Sequence, residues 1–366
     1  MEKAKISASQ LFVLIILFEL SSSLLIFPGQ SAEQDAWLAI LFGTVGGLAL
    51  FLMHHYFYQV NPDMTPYDTV MQMFGKPIGW TISFLYIIYY SYIAARVLRD
   101  FGEMLLTSAY PNTPIVFANG LLIAVCIYTV RKGIEVLARA GELLFGIMFV
   151  IAVAGFLLIV FSGLIDPRQL LPILGDGIKP MLNAALTETL YFPFGEIIVF
   201  TLIMPYISEP KKVKKAGLWA IAISGAVLSL NVAMNISVLG VDLNMRFRFP
   251  LLSTIQTIQV AEFLDRLDVI FMLVLVIGGF FKMSVFMYAV TEGISILFKV
   301  KHSSKVVHAV GIVILILSVS IASNISEHVK EGIQFVPLYI HLPMQVIFPA
   351  FMCLFVYFKT RKRKKV

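Results

Sequence analysis

The sequence is poor in charge and in cysteine. Only 14% of its 366 residues are Asp, Glu, Lys or Arg, whereas 59% are hydrophobic and the mean hydropathy is +0.87. A water-soluble protein needs a far more polar surface, so the composition excludes a large soluble domain. The two cysteines, Cys126 and Cys353, both lie inside apolar runs. This placement argues against a disulfide framework and against a cysteine-based metal site.

Missing motifs narrow the function further. The sequence has no Walker phosphate-binding loop, no HExxH motif and no GxSxG nucleophile elbow. We therefore expect a protein that is not an enzyme and that carries neither a cofactor nor a metal ion. The formal net charge of +6 is interpreted as a determinant of membrane topology, and no nucleic-acid partner is expected.

Ten apolar segments are long enough to cross a bilayer, so we predict an all-α, polytopic membrane protein with one integral membrane domain, 1–366. A spanning helix needs about 20 apolar residues. The stretch 250–265 is amphipathic and is expected to lie at the interface. The predicted spans are 9–28, 36–58, 77–101, 114–130, 134–163, 182–207, 216–240, 267–298, 306–323 and 333–358.

Positive charge is distributed unevenly between the two sides of the membrane. With the N-terminus inside, 18 of the 28 Lys and Arg residues fall in cytoplasmic segments, six in outer loops and four inside spans. Because cytoplasmic loops are enriched in Lys and Arg, both termini are predicted to be cytoplasmic. The basic tail 359–366 either binds acidic membrane lipid or only anchors the last span.

Ten spans with both ends on one side divide naturally into two sets of five. Since five is odd, the second set must run inverted relative to the first, as in inverted-repeat transporters. The predicted repeats are 1–165 and 180–358. In such folds the first helix of each repeat is broken near the midplane, and its free backbone groups bind a ligand.

Both candidate helices, the first and the sixth, contain an interruption of the apolar pattern. In the first, Glu19 is followed closely by Ser21, Ser22 and Ser23; a buried glutamate is costly in lipid unless it faces a cavity or a partner. In the sixth, Tyr191–Glu196 includes Pro193 and Gly195, which favour an unwound segment. A simple proline kink is the alternative interpretation of the sixth helix.

Lys282 lies mid-way along the eighth span, where an unpaired ammonium group is costly. Its candidate partners are Glu19, Glu196 and Glu188. In this architecture the first and eighth helices approach each other, so we favour a structural Glu19–Lys282 ion pair. The competing interpretation makes Glu19, Glu196 or Lys282 a proton-relay group.

Aromatic and hydroxyl side chains of the third and sixth helices predict a small, partly apolar ligand pocket. Tyr89 and Tyr92 are three apart and share a face of the third helix, although packing alone is an equally good explanation for either. Arg96 and Asp100 are spaced for a charge pair on one helix face, and His341, between two prolines, is either titratable or a hydrogen-bonded packing residue. The predicted ligand-binding residues are Glu19, Ser21, Ser22, Ser23, Tyr89, Tyr92, Tyr191, Phe192, Phe194, Gly195 and Phe286.

At the level of actual residues, the chain resembles the B subunit of the nutrient germinant receptors of endospore-forming bacteria, a branch of the amino acid-polyamine-organocation transporter superfamily. No single segment is diagnostic, but their order and spacing together are specific. The segments that carry the resemblance are Ile6–Phe12, Asp35–Leu38, Tyr92–Arg96, Arg99–Phe101, Gly133–Arg139, Leu171–Gly175, Phe192–Glu196 and Phe249–Ser253.

The resemblance implies a LeuT-like fold with broken helices 1 and 6, in the bacterial cell membrane or spore inner membrane. It implies a sensor of a small-molecule germinant, usually an amino acid, that passes a conformational signal to a larger A subunit and a C lipoprotein subunit. A ligand that drives such a signal must bind two conformations with different affinity.

The sequence departs from the wider superfamily where a ligand carboxylate is usually bound. Relatives have a glycine-rich break in the first helix, whereas Glu19 and three serines stand here. If Lys282 neutralises Glu19, the usual binding mode remains possible; otherwise Glu19 holds the ligand's amino group. A proton-coupled secondary amino acid transporter remains the alternative function, because the fold serves both.

Overall fold

The computed structural model describes residues 5–258 and 267–363, and almost all of them are helical. Outside the described residues lie 1–4, 259–266, which include the second part of the expected interfacial stretch 250–265, and 364–366 of the basic tail. The described residues form fourteen α-helices: α1 (Ala8–Leu25), α2 (Ala36–Val60), α3 (Pro66–Phe74), α4 (Lys76–Ser108), α5 (Ile115–Arg131), α6 (Ile134–Phe161), α7 (Ile178–Ala184), α8 (Pro210–Leu239), α9 (Val241–Arg246), α10 (Pro250–Gln256), α11 (Leu267–Leu297), α12 (Val307–Ser320), α13 (Ile325–Gln334) and α14 (Phe348–Arg363).

The predicted spans coincide with helices, but their number is not confirmed. Within the described residues, eight helical segments are long and apolar enough to cross a membrane. A ninth is obtained if α12 and α13, which meet at a bend of 100°, are counted as one span, and the apolar helix α5 has 17 residues. The chain is therefore an integral membrane protein, with ten as the predicted rather than the established count.

Helix α1 lies at the centre of the bundle, packed against α6, α8 and α11. It begins with a capping box, in which the Ser7 hydroxyl accepts from the Gln10 N–H (3.1 Å) and the Gln10 side chain accepts from the Ser7 N–H (2.9 Å). Just before it, Ile6 forms a short parallel bridge with Ile207. The start of α1 is thus fixed to the end of the sixth span.

The predicted interruption of the first helix is wrong. Helix α1 is a continuous α-helix through Glu19 and the three serines to Leu25. The serine pattern does not unwind it, because the Ser23 hydroxyl donates to the carbonyl oxygen of Glu19 (2.6 Å), within the helix itself. The segment contains neither glycine nor proline, so nothing forces the backbone open.

The predicted break in the sixth span is confirmed. After α7, residues Ala185–Thr189 form a π-turn, the chain leaves helical geometry around Tyr191–Pro193, and Phe194–Leu202 continues as a 3₁₀-helix. A 3₁₀ stretch of this length is uncommon. The break lies at the proline and glycine that predicted it, and we call the whole segment, 178–206, the broken helix.

Two glycines of α2 allow the broken helix to approach closely. A Cβ at Gly43 would collide with the Thr189 side chain, and one at Gly47 with the side chain of Phe194. The Thr189 hydroxyl donates to the carbonyl oxygen of Ala39 on the same face (2.9 Å). Small residues at this spacing let membrane helices pack backbone to backbone.

The last span is irregular as well. Residues Val336–Ile347 form a π-helix that contains Pro343, and α14 continues from Phe348. The wider π-turn leaves backbone carbonyls free for other partners: Met344 accepts from the Tyr86 hydroxyl (2.8 Å) and the Gln345 carbonyl lies 3.2 Å from His54 Nε2. The π-helix is thereby fixed to both α4 and α2.

Candidate functional site

A polar cavity of about 520 Å³ opens on one side of the bundle and ends at the broken helix. Its inner wall includes Phe192 and Glu196 of the break, Arg96 of α4 and His341 of the π-helix. Residues of α13 form part of its wall as well. The cavity is large enough for a small metabolite and combines an aromatic ring with charges of both signs.

Lys282 forms its ion pair with Glu196, not with Glu19. The Lys282 Nζ lies 2.5 Å from Glu196 Oε2, and both side chains are almost fully buried. The ammonium group also lies 4.7 Å from the centre of the Phe192 ring and 4.9 Å from that of Phe18, which adds cation–π attraction. The favoured Glu19–Lys282 contact is therefore wrong. The 3₁₀ segment after the break places Glu196, rather than Glu19, in direct contact with the lysine.

The third candidate partner, Glu188, is engaged elsewhere. Its carboxylate lies near the Ser31 side chain and the backbone of residues 29–31. Glu188 thus faces the loop after α1 and borders the same cavity. It does not contribute to the Lys282 pair.

Glu19 is fully buried, and neither of its carboxylate oxygens has a hydrogen-bond partner among the described residues. It remains close enough to Lys282 and Glu196 for their charges to act on it. The buried cluster thus contains two carboxyl groups and one ammonium group. Uncompensated charge is costly in a membrane interior, so Glu19 is a place where a proton or a cationic group would be stabilising.

The three serines do not line the polar cavity. Ser21 borders a second, almost wholly apolar cavity of about 380 Å³ among α1, α6, α8 and α11, and it contacts Gly278. Ser22 is fully buried without a side-chain partner among the described residues, and Ser23 bonds within its helix. The continuous helix places these hydroxyls on different faces, which explains why they are not grouped.

Tyr89 belongs to a hydrogen-bonded cluster behind the cavity. Its hydroxyl lies 2.9 Å from His341 Nδ1 and accepts from Gln345 Nε2 (2.8 Å). The other amide atom, Gln345 Oε1, has no partner among the described residues and sits directly against Gly195 of the break. The cluster connects α4, the π-helix and the broken helix, and only His341 of its members reaches the cavity.

Tyr92 is placed beside a charged network that holds α13 over the cavity. Its hydroxyl accepts from Arg96 Nη1 (3.3 Å), while Arg96 Nη2 donates to the carbonyl oxygen of His328 (2.7 Å). The His328 ring bonds Asp100 (2.8 Å). The predicted Arg96–Asp100 pair is wrong, because α13 supplies a partner to each of them.

The remaining predicted aromatics pack in the core. Phe194 is fully buried against Gly47, and Phe286 contacts the rings of Phe18 (centroids 5.1 Å apart) and Tyr90 (5.9 Å). Tyr191 is buried too. Of the predicted set, the cavity brings together only Phe192 and Glu196, with Tyr92 and Lys282 immediately behind it.

Sequence reasoning did not assign Arg96, His341 and Gln345 to the site. Arg96, a cation inside a predicted span, and His341, a titratable residue inside another, each had a signal. The Arg96 partners His328 and Glu331 come from α13, a polar segment that no apolar window detects. Gln345 had no signal, since its position depends on the π-helical register.

A protein-family model described as "Spore germination protein" matches residues 5–326 of this chain. The chain belongs to that family. It is 56% identical over 365 residues to spore germination protein KB of Bacillus subtilis strain 168, which covers 100% of this chain and 98% of that protein. It is 23% identical to spore germination protein GerQB of Bacillus cereus, over 93% of this chain and 94% of that protein.

Among solved structures, the chain is similar to MhsT in complex with L-phenylalanine. The TM-score is 0.68 over 96% of this chain and 88% of MhsT, at 13% sequence identity. At this identity the likeness shows the fold, and it confirms the predicted LeuT-like class for this spore germination protein.

Two of the segments that carry the resemblance are in contact with each other, and a third is fixed to the end of the sixth span. The carboxylate of Asp35 accepts from the N–H of Leu174 (3.0 Å), which joins Asp35–Leu38 to Leu171–Gly175. Ile6–Phe12 contains the capping box of α1 and is bridged to residue 207. Part of what identifies this family member thus has a structural role at the ends of α1 and α2.

Proposed function

We propose that this chain is the nutrient-sensing subunit of a spore germination receptor, and that it binds a small molecule, an amino acid, in the polar cavity. The observation that carries the proposal is the position of Phe192 and Glu196: they lie at the only described break of the sixth span and at the inner end of the cavity. In LeuT-like proteins broken helices bind the substrate near the membrane midplane.

The comparisons support two parts of the proposal. The relatives are named as spore germination proteins, which supports the role in germination. MhsT, which shares the fold, was solved with L-phenylalanine, which supports the ligand class. The cavity has the chemistry such a ligand needs, with an aromatic ring, a buried carboxylate and a buried guanidinium group. We propose no catalytic reaction for this site.

We further propose that ligand binding favours one conformation and that the shift is passed to a larger A subunit and a C lipoprotein subunit. Residues 1–165 and 180–358 would act as two inverted repeats that rearrange against each other. The protein would lie in the spore inner membrane with both termini in the cytoplasm, and its basic end would contact membrane lipid.

A proton-coupled amino acid transporter is the second candidate function. The observation that favours it is the buried cluster. Glu19 has no hydrogen-bond partner in the part of the chain that the structure describes, and a carboxyl group of this kind beside an ion pair is typical of proton relays. An uptake assay with purified protein in proteoliposomes distinguishes the transporter from the sensor. Uptake of labelled amino acid that depends on a proton gradient would contradict a pure sensor, whereas binding without uptake supports one.

The ligand itself is tested by a stability screen. Purified protein is heated with amino acids, sugars and nucleosides, each in turn, because a specific ligand stabilises the folded state by mass action. We expect one or a few amino acids to raise the unfolding temperature. A sugar or nucleoside as the sole stabilising compound would contradict the proposed ligand class.

A further inference from the structure

Continuity of α1 removes the usual means of binding a ligand carboxylate. A broken first helix exposes backbone N–H groups and a positive helix end, but here the α-helix continues through residues 19–23. The N–H groups of this stretch are therefore used within the helix. Glu19 also adds a buried carboxyl group to the stretch of α1 whose backbone a broken first helix would offer to the ligand. To bind the carboxylate of a ligand, this protein therefore needs a cationic side chain.

Arg96 is the buried cation that lines the cavity. Arg246, Arg248 and Lys330 also line it, but they are exposed to solvent, whereas Arg96 is only 9% exposed. Lys282 is fully buried behind the cavity and is engaged by Glu196. Buried guanidinium groups are well suited to bind carboxylates, because their N–H groups form a planar fork.

The guanidinium group of Arg96 is only partly used. It has five N–H donors, of which the described contacts use two, to the Tyr92 hydroxyl and to the carbonyl oxygen of His328. Among the described residues its acidic partner within 4 Å is Glu331, which lies 3.9 Å away with a side chain that is 40% exposed. Such an exposed, distant contact compensates little of the charge.

The opposite charge lies on the same cavity wall. Glu196 borders the cavity and is close enough to Arg96 for the two charges to interact. A zwitterion placed here would have the Arg96 guanidinium group for its carboxylate, while Glu196, although paired with Lys282 through Oε2, places negative charge near its ammonium group. The position on α4 would replace, with a side chain, the backbone groups that α1 does not offer.

We propose that Arg96 binds the carboxylate of the ligand and thereby selects amino acids over compounds that lack this group. This inference rests on the proposed function, since it names the ligand group that the same cavity recognises. It also assigns α13 a role besides lining the cavity, because Arg96, the residue that would bind the ligand, donates a hydrogen bond to the backbone of this helix. Ligand binding would then be sensed directly at α13.

The test compares each amino acid with its own carboxamide. Apparent affinities of L-alanine, L-valine and L-phenylalanine, and of L-alaninamide, L-valinamide and L-phenylalaninamide, are measured by thermal shift on the purified full chain. For the amino acid that binds, we expect the acid to bind about 10- to 100-fold more tightly than the amide, as for a hydrogen bond to a charged group. In Arg96→Gln this ratio should fall to about one.

The control variant is Glu331→Gln, which removes the acidic partner of Arg96 on α13 but leaves the guanidinium group. It should keep the acid-to-amide ratio of the wild type. Should Arg96→Gln not fold, Arg96→Lys retains the charge without the fork and should show an intermediate ratio.

The possible outcomes separate this inference from the proposed function. If acids bind and Arg96→Gln preserves the ratio, or weakens acid and amide equally, Arg96 only supports α13 and the inference is overturned. If none of the acids stabilises the wild type, the carboxylate role fails together with the proposed ligand class. A ratio that collapses in Arg96→Gln and survives in Glu331→Gln supports it.

Discussion

The Lys282–Glu196 ion pair allows a quantitative test. At 2.5 Å and an effective dielectric constant of about 20, the attraction between the two charges is about 7 kcal/mol. Desolvation offsets much of this, and removal of one partner from a buried pair typically costs about 3–5 kcal/mol, because the other charge is left alone. We therefore expect Lys282→Met to lower the free energy of unfolding by about this amount.

Double variants identify the partner. Since Glu196 makes the direct contact, Lys282→Met combined with Glu196→Gln should recover most of the loss. Lys282→Met combined with Glu19→Gln should recover less of the lost stability, because Glu19 interacts with the lysine through charge but does not contact it. Reversible unfolding in mixed detergent, analysed as two double-mutant cycles, gives both coupling energies. A larger coupling for Glu19 than for Glu196, or no coupling for either, would refute this reasoning.

Three further predictions concern packing and hydrogen bonding. Gly43→Ala should destabilise the fold by about 1–3 kcal/mol, because the added Cβ collides with Thr189. The control Gly146→Ala, which has open space around it, should be neutral or slightly stabilising. Equal unfolding temperatures of the two variants would argue against the α2 contact. Ser7→Ala should cost about 0.5–2 kcal/mol through loss of the capping box, and an unchanged unfolding midpoint would contradict the cap. Tyr89→Phe should cost about 1–3 kcal/mol, since His341 and Gln345 both lose a buried partner; a stability equal to that of the wild type would show that water replaces the hydroxyl.

The spans could be predicted from the sequence, because apolar segments of about 20 residues are seldom found outside membrane-spanning helices. The sequence also located the break in the sixth span, where Pro193 and Gly195 alter the backbone directly. The sequence-based prediction for α1 is wrong, because the polar residues 19–23 do not by themselves interrupt an α-helix. Serine in a helix satisfies its own hydroxyl by donating to the preceding turn, as Ser23 does, and Glu19 is buried in an intact helix.

The candidate site was only partly predictable. Charge inside a span correctly marked Glu196 and Lys282, but the choice between Glu19 and Glu196 as partner depends on the 3₁₀ geometry after the break, which no residue pattern encodes. The contacts of Arg96 depend on α13, whose position is tertiary. Aromatic spacing identified residues near the cavity but could not distinguish Phe192, at the wall, from Phe194, two residues later and packed on α2.

That last pair supplies the most direct test of the central claim that the polar cavity is the ligand site. The measurement is the rise in unfolding temperature caused by the stabilising amino acid in two variants. Phe192→Ala removes a phenyl ring from the cavity wall, and Phe194→Ala removes one from the contact with α2. Phe192→Ala should lose most of the ligand-induced rise, whereas Phe194→Ala should lower the unfolding temperature without ligand and keep the rise. A full rise in Phe192→Ala, or its loss only in Phe194→Ala, would contradict the assignment of the cavity.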